Sequence, residues 1–133
     1  MSFDNFLTEE QQAWRDTCHR FADKEITREY VRECDMNREY YYEGYEKLAK
    51  GGFLNMLIPE ELGGMGADNM AYTLFCEAMG KHSVDFLGTL GVSQFTAQNL
   101  VKHGNDDQKK RFLEPMASDG SGMGQLLQCY IDI

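Results

Sequence analysis

Proline is scarce in this chain, with only Pro59 and Pro115 among 133 residues. The long intervals between glycine clusters suit helices of more than ten residues better than strands. No apolar run approaches the roughly 18 to 20 residues needed to cross a bilayer. The opening Met1-Ser2-Phe3-Asp4-Asn5 lacks the basic and apolar regions of a signal peptide. A soluble, intracellular, cytoplasmic protein is therefore expected. Positive charge is also short, at 13 Lys+Arg against 22 Asp+Glu, a formal net charge of −9. Affinity for nucleic acid comes mainly from clustered Lys and Arg, so this balance excludes DNA, RNA and anionic membrane surfaces as expected partners. Cys18, Cys34, Cys76 and Cys129 form neither a C-x-x-C pair nor a disulfide framework, and reduced thiols are the default. His19, His82 and His103 do not supply ligands at finger-like spacing, so no metal site is expected.

What is present is a succession of amphipathic segments. Thr8 with Gln11 is a capping-box pattern, and Ala13, Trp14, Cys18, Phe21, Ala22, Ile26 and Tyr30 follow at three- and four-residue steps. This predicts one long first helix over 8–32, with a solvated charged face. Tyr41, Tyr45, Leu48 and Ala49 predict a second helix stopping at Gly51-Gly52. Phe53 to Ile58 is an apolar run ending at Pro59, and three glycines in the four residues 63–66 mark an ordered loop. Asp68 or Asn69 opens a third helix that stops near Gly80. Ser83 or Asp85 opens a fourth, ending at Gly104 and apolar over a wide arc, as a buried central helix is. Asn105 with Gln108 starts a short fifth. Residues 124–131 carry the pattern of a strand opening with no visible partner. The expected fold is all-α, an up-and-down bundle of about five helices with a possible short terminal strand. At this length one domain is expected, with too little chain for two independent cores.

Three segments, in order, resemble the N-terminal helical domain of the acyl-CoA dehydrogenase family. They are Leu7-Thr8-Glu9-Glu10-Gln11 with Phe21-Ala22-Asp23-Lys24-Glu25-Ile26; Leu48-Ala49-Lys50-Gly51-Gly52-Phe53-Leu54 with Ile58-Pro59-Glu60-Glu61-Leu62-Gly63-Gly64-Met65-Gly66; and the stretch from His103-Gly104-Asn105-Asp106-Asp107-Gln108 to Met116-Ala117-Ser118-Asp119-Gly120. The resemblance covers about residues 6–124. It implies a domain over 1–124, with 125–133 as the start of a beta domain or a frayed tail. It further implies FAD as cofactor, acyl-CoA thioesters as substrates of an alpha,beta-dehydrogenation, and an electron-transfer flavoprotein as electron acceptor. Relative to the family pattern, the beta domain and the C-terminal domain carrying the catalytic glutamate are missing. No catalytic residue is therefore expected here, and this chain alone is expected to be inactive.

Carried over by position, the resemblance places the acyl-chain wall on Leu90, Gly91, Gln94 and Phe95, where glycine leaves room for a chain and Phe95 closes its tail end. It places flavin contacts on Leu126, Gln128 and Cys129. A second register, anchored on the terminus, puts them on Cys129, Ile131 and Asp132. Glu60 and Glu61 are adjacent on a loop and do not form the facing pair that splits pKa values for acid–base work. Gly63-Gly64-Met65-Gly66 does not follow a strand in a beta-alpha-beta unit, so it is not a dinucleotide fingerprint. The tyrosines at 40–42 and Tyr45 are read as packing a helix edge with their hydroxyls in water, and a docking face is the other reading. A helical interaction module that has lost the chemistry and self-associates as a homo-oligomer is the competing function.

Overall fold

The computed structural model describes residues 6–119, which form six α-helices and no strand. They are α1 (Glu9–Glu25), α2 (Arg28–Asn37), α3 (Tyr42–Lys50), α4 (Asn69–Gly80), α5 (Val84–His103) and α6 (Asp106–Asp119), with short 3₁₀ turns at Phe53–Asn55 and Glu60–Leu62. The all-α class holds. The possible terminal strand lies outside the described residues. Backbone contacts group the chain into two compact units, one of residues 1–41 with 68–87 and one of residues 42–67 with 88–133.

In the first unit the long helix expected over 8–32 is two helices. The capping box is formed in full, with Thr8 and Gln11 satisfying each other's backbone amides. The helix then stops at Glu25 because Thr27 turns its hydroxyl to the amide of Tyr30, 3.2 Å away, and opens α2. Ile26, at the break, is fully buried. Its apolar side chain keeps the helical period, which is why the period alone runs through the interruption.

Asp68 caps α4 through the amide of Ala71 at 2.7 Å. The indole N–H of Trp14 donates to the Ala71 carbonyl, His19 faces Glu77, and His82 meets Asp23 at 3.0 Å. Positions on α1 and α4 therefore advance together, and the two helices run side by side in the same direction. Cys18, Ala22, Leu74, Phe75, Ala78 and Met79 are buried in this unit. Parallel neighbours align their dipoles unfavourably, and the charges at their ends offset this, with Glu9, Glu10 and Asp68 at the starts and Lys24 and Lys81 at the finishes. Tyr41 closes the unit. Its hydroxyl donates to Asp35 at 2.6 Å and its ring stands edge-on to Phe86, so this hydroxyl is bound to a carboxylate and not left to water.

In the second unit, α3 buries Leu48 and ends at Gly51-Gly52, as its glycines predict. The following segment folds back on itself, with the amides of Met65, Gly66 and Ala67 donating to the carbonyls of Asn55, Ile58 and Met56. Gly64 permits that closure, because a Cβ there would stand 1.9 Å from the carbonyl oxygen of Ile58. Asn105 and Gln108 cap α6 reciprocally. The helix continues through Pro115 to 14 residues, longer than expected, with Leu113 and Met116 buried.

Candidate functional site

The candidate wall lies on the part of α5 that belongs to the second unit, and its residues divide by helical angle. Leu90, Ser93, Gln94 and Ala97 are buried, whereas Phe95 is 65% exposed and Val92 38%. The wide apolar arc of this helix therefore does not mean burial all round. One side packs and the other is open. Gly88 and Gly91 lie on the open side next to Phe95: a Cβ on Gly88 would meet nothing within 4 Å, and one on Gly91 would meet only the Phe95 ring at 3.8 Å. The phenyl ring leans back over Gly91, as helical side chains lean toward the N-terminus. The result is a shallow apolar surface, glycine-floored, with an aromatic ring at one end.

Behind it sits a polar pair. The side-chain N–H of Gln94 donates to the carbonyl of Leu54 at 2.6 Å, and that of Gln98, one turn on, donates to the carbonyl of Leu57. Gln94 is only 2% exposed, and its Oε1 is buried without a hydrogen-bond partner among the described residues. The role of Gln98 was not read from the sequence. The signal available was a second glutamine four residues after Gln94, on the margin of an apolar face.

The Pro-Gly loop borders an open depression of about 420 Å³ lined by Leu57, Pro59, Glu60, Glu61, Gly66 and Ala67. Glu60 and Glu61 are both exposed there, which suits solvated carboxylates and not an acid–base pair. Nor does the loop cradle a phosphate. The amides of residues 63–67 are already donated to the carbonyls of Glu60, Pro59, Asn55, Ile58 and Met56, so they cannot turn toward an anion as a nest does. These residues do not fit the pyrophosphate of a dinucleotide cofactor. The positions carried over as flavin contacts, Leu126, Gln128 and Cys129, lie outside the described residues. Among the described residues no group of three His, Cys, Asp or Glu is arranged to hold a metal ion. No helix among them is long and apolar enough to cross a membrane.

Four perturbed groups of the first unit lie on α1 and α4. Burial pushes the Cys18 thiol up to about 12, and Cys76 and Tyr72 are raised by the same cause. Such thiols are poor nucleophiles. Glu77 is held below the usual carboxylate value by Lys81, 3.0 Å away.

Comparison with known proteins decides the family. The family model for the N-terminal domain of acyl-CoA dehydrogenases matches residues 8–120. The chain belongs to the acyl-CoA dehydrogenase family. Among its relatives, a 3-(aryl)acrylate reductase of Clostridium sporogenes is 33% identical over 84% of this chain and 29% of its own length. The probable acyl-CoA dehydrogenase YngJ of Bacillus subtilis is 33% identical over 89% of this chain and 31% of its own length. The caffeyl-CoA reductase-Etf complex subunit CarC of Acetobacterium woodii is 30% identical over 84% of this chain and 30% of its own length. A chain from a solved structure of an electron transferring flavoprotein of Acidaminococcus fermentans superposes with a TM-score of 0.75 at 31% identity, covering 90% of this chain and 31% of that one. The acyl-CoA dehydrogenase family is FAD-dependent in general. The chain spans about 30% of the length of these relatives.

Proposed function

We propose that this chain supplies the N-terminal helical part, residues 1–124, of an FAD-dependent oxidoreductase that removes two hydrogens across the alpha,beta bond of acyl-CoA thioesters. In this reading the α5 segment of Leu90, Gly91, Gln94 and Phe95 is one wall of the acyl pocket, with Gly91 and Phe95 as its open surface. Residues 125–133 begin the beta domain, and Leu126, Gln128 and Cys129 flank one side of the flavin. The observation that carries the reading is Phe95, a large apolar side chain 65% exposed beside two glycines on a helix whose opposite side is packed. An exposed apolar surface of this kind marks a face that meets a ligand or another chain.

FAD supplies the hydride acceptor in this family. The described residues contribute no proton-transfer group to that chemistry. They exclude water from one side of an acyl group and hold its orientation. Catalysis then belongs to parts of a longer protein, and an electron-transfer flavoprotein is the electron acceptor.

Titration of the purified chain with FAD and with an acyl-CoA tests this reading. A flavin absorbance band retained after gel filtration, or thermal stabilisation by acyl-CoA, supports it. A longer protein carrying this domain that bound neither FAD nor acyl-CoA would sink it. The same exposed Phe95 and Val92 favour a second reading, a self-associating helical module. Sedimentation separates the two, since a homo-oligomer dispersed by Phe95→Ser with no effect of acyl-CoA supports the second.

A further inference from the structure

We propose that Gln94 and Gln98 are a positioning pair that sets which side of α5 is offered to an acyl group, an inference that rests on the wall reading above. Residues four apart lie on one helix face, and the two amides reach two carbonyls, Leu54 and Leu57, that are three residues apart. The donors are separated along the helix by about 6 Å. Two directional bonds at that separation oppose rotation of α5 about its own axis. The packing of Leu90 and Ala97 does so less, because apolar contact is non-directional.

The carbonyls are themselves a stiff reference. Their segment is closed by the bonds from Met65, Gly66 and Ala67, and Asn55 ties it to the end of α6 by donating from its side chain to the Ala117 carbonyl at 3.1 Å. Successive helical residues differ by about 100° in direction. A roll of one position would thus replace the bare backbone of Gly91 with the side chain of Val92 on the offered side and turn Gly91 and Phe95 off that side together. Gln98 touches no acyl group in this scheme. It acts through α5.

The test is an NMR titration of the ¹⁵N-labelled chain with butyryl-CoA, following the backbone amides of Gly88, Gly91, Val92 and Phe95. Wild-type protein is expected to shift at Gly88, Gly91 and Phe95. The Gln94→Met/Gln98→Met double variant keeps side-chain length and loses both donors. It is expected to bind about tenfold more weakly, with Val92 joining the shifted set. Gln98→Asn, which keeps the amide but shortens its reach, is expected to move the same way and carries the comparison if the double variant does not fold. Ile26→Val, which loosens the other unit, is expected to lower the melting temperature and leave both affinity and shift pattern unchanged. Unchanged affinity and pattern in the glutamine variants would overturn the positioning role while leaving the wall intact. A wild-type chain with no shift at those amides would overturn the wall reading, and the pair with it.

Discussion

Trp14 donates its indole N–H to the carbonyl oxygen of Ala71 at 2.9 Å, joining residues 57 apart in sequence. It is the single tryptophan of the chain. Because the bond sits at the start of α4, it sets the register of two helices that run in the same direction. Replacing Trp14 by Phe leaves the ring and removes the donor. The Ala71 carbonyl lies inside α4 and keeps its helical amide partner, so we expect a loss of about 1–2 kcal/mol, from one lost hydrogen bond together with a smaller ring, measured by urea denaturation followed by circular dichroism. A loss under a few tenths would show that the bond contributes nothing to the pairing of α1 with α4.

Gly64 and Gly88 are glycines for different physical reasons, and alanine substitution should separate them. Gly64→Ala forces a Cβ to within 1.9 Å of a backbone oxygen, which only movement of the loop can relieve. We expect destabilisation of about 3 kcal/mol. Gly88→Ala adds a methyl into open space in mid-helix and should stabilise by about 0.5–1 kcal/mol. If Gly88→Ala melts lower than wild type, the open side of α5 is not open.

Stability and ligand binding should part company at the wall. Gly91→Ala is expected to raise the melting temperature for the same helical reason, since its Cβ would make only an ordinary contact with Phe95. On the proposed function it should at the same time weaken acyl-CoA binding, because the methyl occupies the floor. Phe95→Ser should change stability by no more than about 0.5 kcal/mol, as exposed substitutions do, while abolishing acyl-CoA binding. Parallel thermal melts and titrations check both.

Acid titration should be felt at Glu77. Lys81 holds its carboxyl below 4.5 in the folded chain. A depressed folded value favours the folded state above the unfolded pKa, and that contribution is lost as pH falls through the folded one. Both partners are about half exposed, so the effect is small and screened by salt. Urea midpoints of wild type should fall more steeply below pH 4.5 than those of Glu77→Gln, and 0.5 M NaCl should narrow the gap. Identical slopes would remove Glu77 from the account.

At the alkaline end the sign reverses. Tyr41 is pushed up to about 12, chiefly by its bond to Asp35, and Cys18 to about 12 by burial. Raised folded values keep their stabilisation fully below pH 9 to 10 and lose it as pH climbs toward 12. Cys18 should therefore resist thiol-reactive disulfide reagents at pH 8 until the protein unfolds. Labelling of Cys18 at the rate of a free thiol, read by mass spectrometry, would contradict its burial.

Local chemistry was legible in the chain, and relations across it were not. The caps at Thr8, Asp68 and Asn105 are written within three residues of themselves, as is the stop at Gly51-Gly52. The break at Ile26 hides because a buried isoleucine continues the apolar period and only the hydroxyl of Thr27 betrays the new start. The doubled-back loop was visible as glycines but not as a set of bonds, since its acceptors are Asn55, Met56 and Ile58, up to eleven residues upstream. At the candidate wall, the family resemblance named Leu90 and Phe95 together, yet one is buried and the other open. Composition cannot tell those apart without knowing where Leu54 and Leu57 stand. Gln94 was read as a wall residue, and its amide reaches a carbonyl 40 residues away that no periodicity reports.

The parallel pairing of α1 with α4 also dictates an order of events in synthesis. The first helix has its buried face formed by Cys18 and Ala22, and the helix that covers it begins only after Asp68. Until the ribosome has delivered α4, nothing in the growing chain can complete that half of the core. Closing so long a loop carries an entropic cost that short-range helix pairs avoid. A nascent chain halted at residue 67 should thus remain open to proteolysis within α1, and one extended through α4 and the start of α5 should become protected in a single step.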